Sequence, residues 1–179
     1  MGHAVLTARP LVGSEPFAVV LTDDIILADP PGLAQLMRVF RERGASVVCV
    51  EEVPLEAVSS YGIVQGDSVA PGLVRVRSLV EKPAPEQAPS RLAVIGRYVL
   101  APTIFEELET LEPGAGGEIQ LTDAIARLAV REEVYALTVE GRRFDLGTPA
   151  GFIKATIALA LETPELAPEV RKVLDHLGR

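Results

Sequence analysis

Short continuous apolar runs alternate along this chain with stretches in which apolar residues recur every three or four positions, the marks of strands and amphipathic helices. Residues 17–21 form the first apolar run, Phe-Ala-Val-Val-Leu, closed by Thr22, Asp23 and Asp24. A run of this kind reads as a buried strand of a parallel sheet. After a Pro-Pro-Gly turn at 30–32, Leu33, Leu36, Met37 and Phe40 share one face of a predicted helix, and Gly44 supplies its stop. Val47, Val48, Cys49 and Val50 predict a second buried strand. The three pieces make a βαβ unit, for which a right-handed crossover is expected.

From Tyr61 onward the pattern changes to alternation. Residues 62–65 and 73–80 predict two antiparallel strands separated by the turn-rich segment 66–72. A proline-rich loop at 83–89 leads into 92–100, predicted to be a central strand. Segments 102–111 and 118–130 predict helices on either side of the glycine-rich 113–117. The remainder reads as a strand at 134–139, a loop at 141–148, and helices at 149–162 and 168–177. The sum is a mixed α/β sheet with helices on its faces, in one domain spanning residues 1–179. Ligands of such sheets sit beyond the carboxyl ends of the strands, which directs attention to Asp23 and Asp24.

Composition narrows the functional classes. With 179 residues, 48% hydrophobic and 23% charged, the chain can bury one good core and does not have a disordered composition. A formal charge of −8 argues against a nonspecific grip on nucleic acid or anionic membrane, so any phosphate site must be local. The single cysteine, Cys49, lies in an apolar run and reads as a small core residue. No apolar stretch is long enough to span a bilayer, and residues 1–5 lack the basic-then-apolar order of a signal peptide, so a cytoplasmic setting is expected. His3 and His176 stand near opposite ends of the chain, which gives little support to a histidine-based metal cluster or a Ser-His-Asp triad.

Three short motifs carry candidate chemistry. Asp23 and Asp24 directly follow a strand, where a carboxylate can project from the sheet rim toward a divalent cation. Taken alone, the pair reads more plainly as a strand terminator and helix cap. Glu81-Lys82-Pro83 sets an acceptor beside a cation at a strand end. The carboxylate can accept from sugar hydroxyls while the ammonium meets phosphate oxygens, although a solvated ion pair is the plainer reading. Asp145 precedes Gly147 in an ordinary turn pattern, and could add a second carboxylate to Asp23. The glycines of 113–117 precede a predicted helix, where amide groups can face an anion, but the spacing is not that of a P-loop.

Taken in order, these segments resemble the bacterial glucose-1-phosphate uridylyltransferases. The likeness runs through residues 2–13, 15–24, 61–64, 80–83, 88–100, 113–125, 143–147 and 151–156, and the block Gly117-Glu118-Ile119-Gln120-Leu121-Thr122-Asp123 is part of its most specific portion. The resemblance implies a Rossmann-like mixed sheet of the nucleotidyltransferase type without its first βαβ segment. It implies a reaction of UTP with glucose 1-phosphate to give UDP-glucose and pyrophosphate, with Mg2+ held between Asp23 and Asp145. It further implies that Gly62, Glu81, Lys82 and Glu118 hold the sugar phosphate, that Lys82 and Asp23 serve catalysis, and that the protein is a homo-oligomer. The family's Gly-Thr-Arg loop, which wraps the triphosphate, and the lysine after it have no counterpart in these residues. Little or no turnover is therefore expected from the 179 residues alone. Two other readings stand beside this one: a noncatalytic module that binds a sugar nucleotide or pairs with another subunit, and a thymidylyl- or adenylyltransferase of the same fold.

Overall fold

Each apolar run of the sequence becomes a strand, but the run alone does not fix the strand's place in the sheet. Residues 1–114 and 117–178 are described by a computed structural model of the protein. Two short helices, α1 (Gly2–Thr7) and α2 (Arg9–Val12), precede strands β1 (Phe17–Val20) and β2 (Asp24–Leu27). Helix α3 (Gly32–Arg43) follows and ends at Gly44, whose φ of 64° is the left-handed C-cap conformation the sequence predicts. Strand β3 (Ser46–Glu52), strands β4 (Gly62–Ala70) and β5 (Leu73–Glu81), and β6 (Leu92–Leu100) come next. Helices α4 (Ile104–Thr110) and α5 (Leu121–Arg131), strands β7 (Val134–Thr138) and β8 (Arg142–Asp145), and helices α6 (Pro149–Glu162) and α7 (Ala167–Leu177) complete the chain.

Six strands form the main sheet in the order β1-β6-β3-β7-β5-β4, with β4 also reaching β6. Strand β3 is antiparallel to β6 and parallel to β7, which makes the sheet mixed, as expected. Both faces are covered. Helices α4 and α5 bury Phe105, Leu108, Leu121, Ile125 and Leu128 against one face, and α3 buries Leu36 and Val39 against the other. Central β3 and β6 therefore read as continuous apolar runs, because neither face meets water.

Three expectations need correction. Strand β1 is not a parallel strand of the interior: it pairs antiparallel with β6, Phe17 opposite Leu100, at the end of the strand order, and its residues alternate between half-buried and exposed. One side of its apolar run is satisfied by packing, Phe17 stacking on Phe105 with centroids 4.9 Å apart. Segment 66–72 is mostly strand, and only Pro71 and Gly72 make the turn, Gly72 taking a φ of 68°. Segment 141–148 is not wholly loop. Its β8 pairs antiparallel with β2, Asp24 opposite Asp145, as a two-stranded ribbon apart from the main sheet.

The buried Gln35 holds this ribbon's approach in place. Its Nε2 donates to the carbonyls of Pro30 and Glu140, each at 2.9 Å, and its Oε1 accepts from the Glu140 amide at 2.9 Å. Among the described residues, no helix is long and apolar enough to cross a membrane.

Cys49 lies fully buried in the middle of β3. Burial pushes its thiol from 9.0 up to about 12. A thiol raised in the folded state stabilises fully below its unfolded pKa and loses that contribution as pH rises through the folded value. The urea midpoint is therefore expected to fall between about pH 9 and about pH 12. Cys49→Ala should flatten part of that slope, and an unchanged slope in the variant would assign the loss to other groups.

Candidate active site

The carboxyl end of β1 leads into a tight turn, and side-chain donors far away in sequence fix its shape. Arg97, on β6, donates from Nη1 to the carbonyls of Leu21 and Gly96, both at 2.8 Å, and from Nη2 to the carbonyl of Asp24. Asp24 turns inward and is buried. Its Oδ2 accepts from the Gly96 amide at 2.8 Å and its Oδ1 from Arg143 Nε at 2.5 Å. Of the two adjacent carboxylates, Asp24 thus locks the turn and the exposed Asp23 is presented outward.

Asp145, at the end of β8, stands beside Asp23. Its Oδ1 accepts from the Gly147 amide at 2.9 Å, and its Oδ2 lies 3.4 Å from both Tyr61 Oη and Arg143 Nη2. A Cβ placed on Gly147 would meet Asp145 Oδ1 at 3.1 Å and Asp23 Oδ2 at 3.4 Å, so one oxygen of each carboxylate lies beside the same place. No third histidine, cysteine, aspartate or glutamate completes a metal cluster among the described residues. Two hard carboxylates with room beside them fit a small divalent cation whose remaining positions are taken by phosphate oxygens and water.

The opposite wall comes from the ends of β4 and β5, where Gly62 is in register with Glu81 and the Lys82 amide donates to the Tyr61 carbonyl at 2.9 Å. Gly62 is required by close approach: an added Cβ would lie 2.8 Å from Thr122 Cγ2 and 3.2 Å from Glu81 Oε2. Lys82 holds a φ of 46°, left-handed backbone that a residue with a side chain rarely adopts. Its Nζ stands 3.8 Å from Glu81 Oε1, with the lysine side chain 59% exposed and the glutamate 18%.

These walls enclose a cleft of about 390 Å³. Asp23, Gly62, Glu81, Lys82, Glu118 and Asp145 all line it, so the structure brings together every site residue that the sequence nominated. Tyr98 lines it too, and burial, followed by the negative charges of Glu81 and Asp24, holds its phenol well above its ordinary value of 10.0. At neutral pH it is a neutral hydroxyl.

Arg143 and Tyr61 were not picked out as site residues from the sequence. The signal for Arg143 was its spacing two residues before Asp145, which puts both on one face of a strand. Burial works against the Arg143 charge, but hydrogen bonds to Asp24 and Tyr61 outweigh it and hold the guanidinium above its usual range. The glycine-rich segment differs from expectation. Helix α5 starts at Leu121 with Gln120 in the capping position, so its N-terminus is not formed by those glycines. The Gly117 amide instead donates to the Gly114 carbonyl at 3.0 Å, and Ala115 and Gly116 lie outside the described residues.

The fold is thus a mixed α/β sheet with a polar cleft at a strand end, lined by two neighbouring carboxylates and a Glu-Lys pair. The family model described as nucleotidyl transferase matches residues 1–162, and the chain belongs to that family. It is 47% identical over 177 residues to a Staphylococcus epidermidis protein named UTP--glucose-1-phosphate uridylyltransferase, covering 99% of this chain and 62% of the relative. A Pseudomonas aeruginosa protein of the same name is 49% identical over 158 residues, covering 87% of this chain and 57% of its own length. A solved structure of UDP-glucose pyrophosphorylase complexed with UDP-glucose superposes with a TM-score of 0.88 at 43% identity, covering 90% of this chain and 62% of that one. The chain thus spans about three-fifths of the length of these relatives. Enzymes of the family generally use a divalent metal.

Proposed function

We propose that this chain carries the sugar-phosphate and metal-binding face of a UTP–glucose-1-phosphate uridylyltransferase site. In that reaction a phosphate oxygen of glucose 1-phosphate attacks the α-phosphorus of UTP. The bond from that phosphorus to the bridging oxygen breaks, and pyrophosphate leaves with the electron pair. The observation that carries the reading is the convergence of Asp23 and Asp145 in the same cleft as Glu81 and Lys82. The names of the relatives support uridylyl transfer to glucose 1-phosphate over the thymidylyl and adenylyl alternatives.

In this reading Lys82 places its ammonium on the sugar's phosphate and Glu81 accepts hydrogen bonds from sugar hydroxyls. Gly62 leaves room for the ring between Thr122 and Glu81. Glu118 closes the rim, and Asp23 and Asp145 hold Mg2+. The cation, when bound, neutralises phosphate charge as it develops in the transition state. The protein's own contribution is positioning, since nucleotidyl transfer asks for no covalent intermediate. The reading also carries a cytoplasmic setting, which the buried, unpaired Cys49 suits, and a homo-oligomeric assembly.

Titration calorimetry with glucose 1-phosphate and with UDP-glucose, each with and without Mg2+, tests the proposal. Saturable binding of both, tightened by the cation, is the expected result. Binding of neither ligand under any condition would end it, and tighter binding of dTDP-glucose or ADP-glucose than of UDP-glucose would move the chain to another branch of the family.

A further inference from the structure

We infer that Arg143 and Asp24 form a positioning pair that fixes the spacing of the metal-facing carboxylates Asp23 and Asp145, and through that spacing sets the affinity for a divalent cation. The inference rests on the reading of the cleft as a divalent-metal site.

Asp24 is itself unsuited to be a ligand. It is buried, and its two oxygens are already taken by the Gly96 amide and by Arg143 Nε. Arg143 is committed in the same way. Its side chain is 11% exposed, and its three nitrogens reach three different carboxylates: Asp24 at 2.5 Å, Glu51 at 3.2 Å and Asp145 at 3.4 Å. Its guanidinium carbon also lies 5.5 Å from the centre of the Tyr61 ring. A cation so placed has little charge left to offer a phosphate, whereas Lys82 is more than half exposed and among the described residues pairs only with Glu81, at 3.8 Å.

What the pair does is mechanical. Asp24 follows Asp23 directly, and Arg143 stands two residues before Asp145 on the same strand face. Asp24 and Asp145 are register partners across the β2–β8 ribbon. The ion pair therefore ties the turn that carries Asp23 to the strand that carries Asp145, close to where the two carboxylates come together. Arg143 also touches Asp145 Oδ2 directly, which limits rotation of that carboxylate. The planar fork of an arginine can serve three acceptors at fixed angles, and the single ammonium of a lysine cannot. Groups that orient metal ligands in this way typically change affinity by about 10–100-fold when altered.

The test uses two variants of the whole chain, Arg143→Lys and the double variant Asp24→Asn with Arg143→Gln. The first keeps the charge and loses the fork; the second removes both charges together, so that no lone ion is left buried if the first variant fails to fold. Mn2+ affinity is measured by the electron paramagnetic resonance of the free ion, glucose 1-phosphate affinity by calorimetry without metal, and folding by circular dichroism. Folded variants are expected to bind Mn2+ about tenfold or more weakly, with metal-free glucose 1-phosphate affinity changed by less than about twofold, well under a lost charged hydrogen bond. Unchanged Mn2+ affinity in a folded variant would overturn the inference and leave the pair a structural tie. Loss of glucose 1-phosphate affinity at unchanged Mn2+ affinity would overturn it by making Arg143 a phosphate ligand. A wild-type chain that binds glucose 1-phosphate and no Mn2+ would remove the metal site while sparing the sugar-phosphate reading.

Discussion

A Lys82→Gly variant is expected to lose its hold on glucose 1-phosphate while keeping its thermal stability. The two effects have separate origins. A charged hydrogen bond to phosphate contributes about 1.5–3 kcal/mol, so its loss should weaken binding by about 10–100-fold. The backbone of Lys82, at a φ of 46°, is strained for any residue with a side chain, at a typical cost of about 1–2 kcal/mol. Glycine relieves that strain, and the greater freedom of its unfolded chain gives back about 0.5–1 kcal/mol. Stability should be unchanged or slightly higher. Lys82→Ala loses the same binding and keeps the strain, so it should melt no higher than the glycine variant. Calorimetry and a thermal melt on both variants check the two halves. A glycine variant that binds as well as the parent would place the phosphate grip elsewhere in the cleft.

Gly151→Ala separates two opposing effects by sign. Gly151 sits in the first turn of helix α6, where helix propensity alone favours alanine by about 1 kcal/mol. An added Cβ would lie 1.9 Å from the backbone carbonyl oxygen of Asp145 and 2.9 Å from Thr148 Oγ1. Backbone cannot rotate out of the way as a side chain can, so the start of α6 must move off β8. Overpacking of this kind typically costs about 1–3 kcal/mol or more, and here that exceeds the propensity gain. The variant should melt lower than the parent and bind Mn2+ more weakly, because the displaced atom belongs to Asp145 itself. A higher melting temperature would show that the close approach yields easily.

The helices and central strands were legible because their patterns are local. Leu33, Leu36, Met37 and Phe40 recur at helical spacing with Gly44 behind them, and β3 and β6 are apolar on both faces because both faces are covered. Strand β1 misled because an apolar run does not tell how many neighbours a strand has. Strand β8 was hidden for a different reason: its sequence, Arg-Arg-Phe-Asp, has no apolar alternation, and the largely covered side chain of Arg143 is charged. That burial is tolerable only through partners 119 and 92 residues away, which no local window contains. The candidate site was legible residue by residue through family resemblance, while each motif alone read as a turn or a surface ion pair. The inward turn of Asp24 and the contacts of Arg143 depend on distant partners and became visible only with the fold.

The cleft is built where the β2–β8 ribbon meets the β4–β5 hairpin of the main sheet. Asp23 and Asp145 belong to β2–β8 and its entry turn, and Gly62, Glu81 and Lys82 to β4–β5. Between the two, Tyr61 reaches Asp145 by a long side-chain hydrogen bond of 3.4 Å. The β2–β8 ribbon is nonetheless tied to the main sheet that carries β4–β5, through Gly96 and Arg97 of β6 and Glu51 of β3. Both walls of the cleft thus hang from one sheet, and its width is set by that shared frame before any ligand arrives.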